Sequence, residues 1–270
     1  MSASRSLLHR VLDNTYPRWI LVIPSVILFA LFALPLAALI LRSFSSEFLS
    51  SALSAQAFHA LTLSLVTSSI TTVIAVVLGT PLAYMLARSR SRARAWLELI
   101  LDLPIVLPPS VAGLALLIAF GRNGLFGPAL SVFGISLPFT GAAVVLAQTF
   151  VAAPLYVRSA RIGFAHVQVE LTEAAHVEGA NAWQLFHEVM IPITGRVLAS
   201  GAILTWTRAL GEFGATILFA GNLEGVTQTM PMAIYLGFER NLNVAMALAV
   251  VLMLVSALLL ALTRRLERSP

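Results

Sequence analysis

Six runs of apolar residues, each long enough to cross a lipid bilayer, constrain the fold of this chain more than any other feature of its sequence. A membrane-spanning helix needs about 20 mostly apolar residues. The sequence meets this requirement at residues 19–41, 58–87, 99–120, 137–157, 197–220 and 244–263. Because lipid offers no hydrogen-bond partner to an open strand edge, each run must be helical. The expected fold is all-α: a polytopic membrane protein with six transmembrane helices.

The composition excludes a soluble globular protein. Charged residues make up 11% of the chain, whereas soluble domains average about 25%. Cysteine is absent, which excludes disulfides and thiolate metal sites. The first apolar run is longer than the roughly 7–15 residues of a signal peptide's apolar region, so a retained helix is expected.

The placement of arginine predicts which helix ends face the cytoplasm. All 17 basic residues are arginines and the net charge is +5. In a membrane protein this excess indicates orientation rather than nucleic-acid binding, because cytoplasmic loops are enriched in basic residues. With the N-terminus inside, thirteen arginines lie inside, three outside and one within a span. The expected division, in the cytoplasmic (inner) membrane, is a cytoplasmic N-terminal segment at 1–18, a transmembrane domain at 19–264 with a cytoplasmic loop at 158–196, and a cytoplasmic tail at 265–270.

The loop at 158–196 contains a segment with a distinctive internal spacing, EAAHVEGANAWQLFHEVMIP at residues 173–192. Residues 170–178 favour a helix and Gly179 interrupts it, because glycine adopts turn conformations that other residues avoid. A second helix is expected over 180–189. One interpretation is an amphipathic surface loop that packs on its own bundle.

The segment resembles the EAA loop of ABC-importer membrane subunits. The family pattern is Glu-Ala-Ala, three residues, Gly, nine residues, an aliphatic residue, any residue, then Leu-Pro. The matching positions are Glu173, Ala174, Ala175, Gly179, Val189 and Pro192, with Ile191 in place of the usual Leu. The resemblance implies a type I importer permease fold and a coupling helix that seats in a groove of a cytoplasmic ATP-binding subunit.

The resemblance also gives meaning to individual side chains of the loop. Its alanines, Ala180 among them, allow a partner's backbone to approach closely. Glu173 can pair a partner's arginine, and Trp183 and Phe186 are apolar anchors of the kind enriched in interfaces. The chain has no lysine and therefore no Gly-x-x-x-x-Gly-Lys phosphate loop. The ATPase, with its ATP and magnesium, is expected to be a separate polypeptide, and this chain is expected to carry no cofactor and no catalytic site.

Three further stretches resemble permeases for tetrahedral oxyanions, most closely the molybdate type. They are LDLPIVLPPSVAGLALLIAFGRNGLFG at 101–127, RALGEFGATILFAGN at 208–222 and TQTMPMAIY at 227–235. Tungstate and sulfate or thiosulfate permeases remain alternatives, since molybdate, tungstate and sulfate permeases share much of the second stretch. The resemblance implies a homodimer, with an extracytoplasmic binding protein that delivers the anion to the seam.

Two sets of polar residues inside the apolar runs are candidates for a translocation path or gate. Arg208 and Glu212 are four residues apart, on one face of the predicted fifth helix. Pairing lowers the cost of charge inside the bilayer, so the two form either a structural ion pair or a gate. Ser64, Ser68 and Thr72 form a row at helical spacing, which is typical of helix–helix packing or of a hydroxyl-lined anion path.

Prolines at 104, 108 and 109 begin the third apolar run. Because proline removes a backbone donor and kinks a helix, the run is expected either to start with a bent segment near the cytoplasmic surface or to be a discontinuous helix in the path, with Pro108 as a candidate residue. The loop at 221–243 is expected to be short and polar. A membrane-embedded hydrolase is the alternative from another class of protein. His59, at the edge of the second run, is the only histidine in the six apolar runs, and one histidine does not provide a catalytic pair or a metal site.

Overall fold

The computed structural model describes residues 19–44, 48–89 and 91–268, with side chains as far as residue 261, and every regular element in this part of the chain is helical. The predicted N-terminal segment at 1–18 lies outside the described residues. The helices, in chain order, are α1 (Trp19–Ser43), α2 (Phe48–Ala52), α3 (Ala55–Arg88), α4 (Ala93–Val106), α5 (Pro109–Phe120), α6 (Gly127–Val132), α7 (Gly141–Ala165), α8 (Val169–Val177), α9 (Ala182–Leu210), α10 (Gly214–Ala220), α11 (Met230–Arg240) and α12 (Leu242–Arg268).

The predicted all-α membrane fold is confirmed. Five helices, α1, α3, α7, α9 and α12, are individually long and apolar enough to cross a membrane. The pair α4 and α5 becomes a sixth span if its two halves are counted together, although their axes are bent by 116°. The third apolar run is therefore broken, as its prolines predict.

The centre of the bundle is the contact between α3 and α7, where small residues let the two helices approach closely. Ala83 and Ala160 are fully buried there together with Tyr156. A Cβ on Gly79 would lie 2.9 Å from the Tyr156 ring. The Tyr156 hydroxyl and Thr80 Oγ1 are 2.6 Å apart, so the ring's polar end is satisfied between the helices.

The two ends of the bundle are distinguished by which helix termini meet there. At one end, which we call the cytoplasmic end after its Arg88 and Arg161, the last turns of α3 and α7 pack on the start of α9. At the other, the outer end, the start of α3 packs on α11 and α12. Arg88 and Arg161, both predicted to lie on the inner side, are thus at the same end of the bundle.

The fifth span is present, but its predicted bounds, 197–220, are wrong. Helix α9 begins at Ala182, continues through a π-helical stretch over Leu185–Met190, and ends at Leu210. Gly211 ends it, and α10 is a separate short helix. Hydropathy does not detect this break, because the residues on both sides of it are apolar.

Two other boundaries also differ from the predictions. The fourth span, α7, is Gly141–Ala165 rather than 137–157. Its N-terminus is capped by Thr140, whose hydroxyl oxygen accepts the Ala143 N–H. Arg158 is therefore helical, and the irregular part of the cytoplasmic loop is much shorter than expected. The predicted polar loop at 221–243 contains α11, and the predicted tail at 265–270 is helical as far as Arg268.

The half-helices α5 and α10 pack against each other and against the outer half of α7. Ala112 and Leu116 of α5 are buried with Ala215 and Phe219 of α10. A Cβ on Gly113 would lie 2.8 Å from the Ala215 carbonyl oxygen. Only a glycine at this position lets the two half-helices come this close.

We expect Gly113→Ala to lower the free energy of unfolding by about 1–3 kcal/mol, the usual effect of overpacking against a backbone that cannot move away. The matched control is Gly195→Ala, which is also inside a helix but has open space around its Cβ position. That substitution should be neutral or stabilising, since alanine favours helix over glycine by about 1 kcal/mol. Thermal unfolding of the two purified variants in detergent compares them; equal shifts would contradict the close contact.

Candidate functional site

The segment at 173–192 forms a helix–turn–helix at the cytoplasmic end. Helix α8 ends at Val177, and the chain turns at Gly179. Its φ of +89° is a backbone conformation that residues other than glycine rarely adopt. Asn181 then caps α9: its side chain accepts the N–H groups of Trp183 and Gln184, and Gln184 returns a bond to the Asn181 N–H. The turn is rigid because both helix ends are satisfied locally.

This turn presents apolar side chains outward. Val177 is 88% exposed and Trp183 is 68% exposed. The predicted contact residues divide into an exposed group and a half-buried group. Exposed are Glu173, Ala174, Gly179, Trp183 and Pro192; half-buried are Ala175, Ala180 and Phe186. We call the exposed group together with Val177 the docking surface.

A chain of aromatic rings joins the docking surface to the membrane helices. The Trp183 ring lies 6.1 Å from Phe186, which lies 4.9 Å from Tyr84 of α3. Tyr84 in turn lies 5.6 Å from Phe164 of α7, edge to face. The sequence pattern did not identify Tyr84 or Phe164, because nothing local indicates that residues 80 or 102 positions apart are in contact.

The pair Arg208 and Glu212 forms an ion pair, with Nη1 2.6 Å from Oε2. The prediction of one shared helix face is wrong, however, since α9 ends at Leu210 and Glu212 lies in the break before α10. The other carboxylate oxygen, Oε1, accepts the Ala215 N–H at 2.9 Å. Glu212 therefore spans the break, with one oxygen on the last turn of α9 and the other on the positive end of α10.

The two members of this pair differ in accessibility. The Glu212 side chain is 1% exposed and the Arg208 side chain is 35% exposed. A buried carboxylate requires both a cation and hydrogen bonds, and Glu212 has both. Arg208 neutralises it while still reaching the surface of the bundle.

A second break, between α4 and α5, lies beside the break between α9 and α10. Pro108 precedes α5 and is exposed, and Pro109 is the first residue of that helix. A Cβ on Gly214 would lie 2.5 Å from the Pro109 Cβ, so the starts of α5 and α10 are in direct contact. The structure thus brings Pro108 to the same region as Arg208 and Glu212.

The predicted hydroxyl row is mostly buried. Ser64 Oγ accepts the Met230 N–H at 2.7 Å and so joins α3 to the start of α11. Ser68 is also buried, with its hydroxyl bonded to the Leu65 carbonyl. Thr72 is half-exposed in a groove against α9 and α12. These contacts favour helix packing for Ser64 and Ser68 and leave Thr72 accessible.

Comparison with known proteins gives one family. The family described as "Binding-protein-dependent transport system inner membrane component" matches residues 75–269. The "Molybdenum transport system permease protein ModB" of Mycobacterium tuberculosis is 41% identical over 242 residues, which cover 90% of this chain and 91% of that protein. The "Probable transport system permease protein NifC" of Clostridium pasteurianum is 45% identical over 168 residues, or 62% of this chain. The match spans 59% of the length of NifC.

Among solved structures, the chain is similar to one in a bacterial ABC transporter involved in the import of the acidic polysaccharide alginate. The TM-score is 0.77, with 16% identity, and the match covers 97% of this chain and 98% of that one. At this identity the likeness concerns the fold alone. The family match over most of the apolar helices carries the assignment, and the chain belongs to the inner-membrane components of binding-protein-dependent transport systems.

Proposed function

We propose that this chain is the permease subunit of an ATP-driven importer that carries a tetrahedral oxyanion, with molybdate as the first candidate. The observation that carries the proposal is the 41% identity, over nine-tenths of the chain, to a protein named as a molybdenum transport permease. The stretches at 208–222 and 227–235 point in the same direction. Tungstate and sulfate or thiosulfate remain the alternatives within this class of transporter.

The docking surface is proposed to seat in a cytoplasmic ATPase subunit, which binds the ATP and magnesium, so that this chain needs no cofactor of its own. Exposed apolar side chains beside a rigid turn support this role, because exposed apolar patches commonly mark interaction sites. When the ATPase subunits close, a displacement of Trp183 would pass through Phe186 to Tyr84 on α3. The ring contacts are close enough for the loop and the helix to move together.

The adjoining breaks are proposed as the gate on the translocation path, at the seam between two copies of the chain. Transporters commonly line their paths with discontinuous helices. The Arg208 side chain is 35% exposed and would face that seam, while Glu212 offsets its charge, so an anion would meet a cation already paired with a carboxylate. Helix α1 has none of its apolar window buried in the single chain, which leaves it free to pack on a second copy. An extracytoplasmic binding protein would deliver the anion to the outer end.

We expect Gly179→Leu to abolish co-purification of the ATPase subunit, because a side chain at φ +89° strains the turn. The matched control is Gly134→Leu, at φ +71° with open space around the Cβ position of both glycines. It imposes similar strain at the other end of the bundle and should leave assembly intact.

We expect Trp183→Ala to weaken binding of the ATPase subunit by about 2 kcal/mol or more, as for a central aromatic anchor. Its control is Trp96→Ala, since Trp96 is 69% exposed but lies on α4, away from the docking surface. Glu173→Arg tests the charge on the same surface. Intact assembly in Gly179→Leu, Trp183→Ala and Glu173→Arg alike would refute the docking role.

For the ion pair, we expect Arg208→Gln to lower the free energy of unfolding by about 3–5 kcal/mol, because it leaves the buried Glu212 carboxylate without a cation. Glu212→Gln should cost less, since Arg208 reaches the surface and the amide oxygen still accepts the Ala215 N–H. The double variant should recover stability, yet uncouple ATP hydrolysis from transport if the pair is a gate. Thermal unfolding and transport assays separate the two effects; additive losses in unfolding would exclude a coupled pair.

For the substrate, we expect molybdate to stimulate ATP hydrolysis by the complex in proteoliposomes more strongly than sulfate does at equal concentration. The assay contains the cognate binding protein, because selection of the anion is expected there, and tungstate is measured in parallel. Equal stimulation by molybdate and sulfate would reject molybdate preference while leaving the importer assignment in place.

A further inference from the structure

A groove of about 320 Å³ lies on the side of the bundle between α3, α4 and α7. We call it the lateral groove; Leu78, Leu101, Phe150 and Val157 are among its lining residues. Its one polar lining residue, Thr149, donates its hydroxyl to the Val145 carbonyl at 2.7 Å. The groove therefore offers water no free polar side chain, and an apolar chain is the occupant that its chemistry accepts.

The groove is open toward the membrane rather than enclosed by the bundle. Leu78 is 66% exposed and Ile100 is 63% exposed, and both stand at its edge. A lipid acyl chain can therefore enter sideways from the bilayer.

A carboxylate that holds two guanidinium groups lies at the cytoplasmic end of the groove. Glu98 Oε1 accepts Arg94 Nε at 2.7 Å and Arg161 Nη1 at 3.2 Å. One negative charge against two positive charges leaves the cluster with a net charge of +1. Both arginines remain partly accessible, at 30% and 24%, and each guanidinium has more donors than this carboxylate uses.

Helical spacing places this cluster directly beyond the groove. Glu98 precedes the lining residue Leu101 by three positions on α4, and Arg161 follows Val157 by four positions on α7. Residues three or four apart lie on one helix face, about one turn from each other. A molecule that fills the groove would bring its end to the two arginines.

We propose that the lateral groove binds an anionic phospholipid of the cytoplasmic leaflet, with its phosphate at Arg94 and Arg161 and one acyl chain against α3, α4 and α7. Guanidinium groups bind phosphate with paired hydrogen bonds, and basic pockets between membrane helices bind anionic headgroups. Charge complementarity decides between occupants. An apolar helix of a second copy would fill the groove but would leave the excess positive charge unmatched.

The test uses the full chain in phosphatidylcholine nanodiscs that contain a minor fraction of phosphatidylglycerol, with retained lipid counted by native mass spectrometry. We expect Arg94→Gln and Arg161→Gln each to lower the retention of phosphatidylglycerol relative to phosphatidylcholine about fivefold, which corresponds to about 1 kcal/mol per basic residue. Arg196→Gln is the matched control: it removes an exposed arginine of the cytoplasmic end from α9, and should leave the ratio unchanged.

Glu98→Gln should instead raise the retention of phosphatidylglycerol, because it removes the carboxylate that pairs with both guanidinium groups. This variant keeps the proposal testable if Arg161→Gln does not fold. The headgroup assignment would be overturned if the wild-type protein retained the two lipids equally. It would also be overturned if Arg196→Gln lowered phosphatidylglycerol retention as much as Arg94→Gln and Arg161→Gln do.

The acyl-chain position is tested separately. Ala153→Leu fills the lateral groove and should reduce the retention of both lipids, whereas Ala202→Leu, in the groove between α3, α9 and α12, should not. A photoactivatable phosphatidylglycerol chain should cross-link to the α7 peptide that contains Phe150. Cross-links at this peptide to a second copy of the chain instead of the lipid would overturn the proposal.

Discussion

Lipid cannot hydrogen-bond to a polypeptide backbone, and this constraint governs the part of the bundle where helices stop short. Helix α9 ends and α10 begins within the apolar region, so their free backbone groups must find partners in the protein. The Glu212 carboxylate supplies such a partner: one oxygen pairs with Arg208 and the other accepts the Ala215 N–H. Remove that carboxylate and both the cation and the start of α10 lose a partner. At the second break, after Pro108, no hydrogen-bond acceptor is needed for Pro109, because proline has no N–H.

Packing in the bundle depends on small residues for a related reason. Between membrane helices the hydrophobic effect gives no advantage over lipid, so close contact must supply the attraction. Gly79 admits the Tyr156 ring, Gly113 admits the Ala215 backbone, and Gly201 lies against Ser159. Each is a place where a larger side chain would separate two helices. The same close packing would let helix pairs move together, as the proposed transmission of displacement requires.

The docking surface and the breaks lie at different depths, and the aromatic contacts among Trp183, Phe186 and Tyr84 connect the first to α3. Helix α9 connects the two directly, because it starts in the loop just after its cap residue Asn181 and ends at Leu210, with three residues between it and α10. A tilt of α9 driven at its cytoplasmic end would therefore change the position of Arg208. This continuity is the physical basis of the proposed coupling. The sequence-based prediction missed the continuity of α9, because it treated the loop at 158–196 and the span at 197–220 as separate elements.

The sequence by itself determined that the chain is a helical membrane protein, because the length of an apolar run and the density of charge follow from composition alone. It also located the turn at Gly179, since a loop motif with fixed spacing is local information. It placed Arg208 and Glu212 together, but on one helix, because periodicity cannot detect a break flanked by apolar residues. Only the tertiary structure decided that Glu212 caps α10, that Ser64 binds the Met230 N–H, and that Tyr84 meets Phe186. These contacts join residues that are distant in the chain or separated by a helix end, and their geometry is set by how whole helices pack.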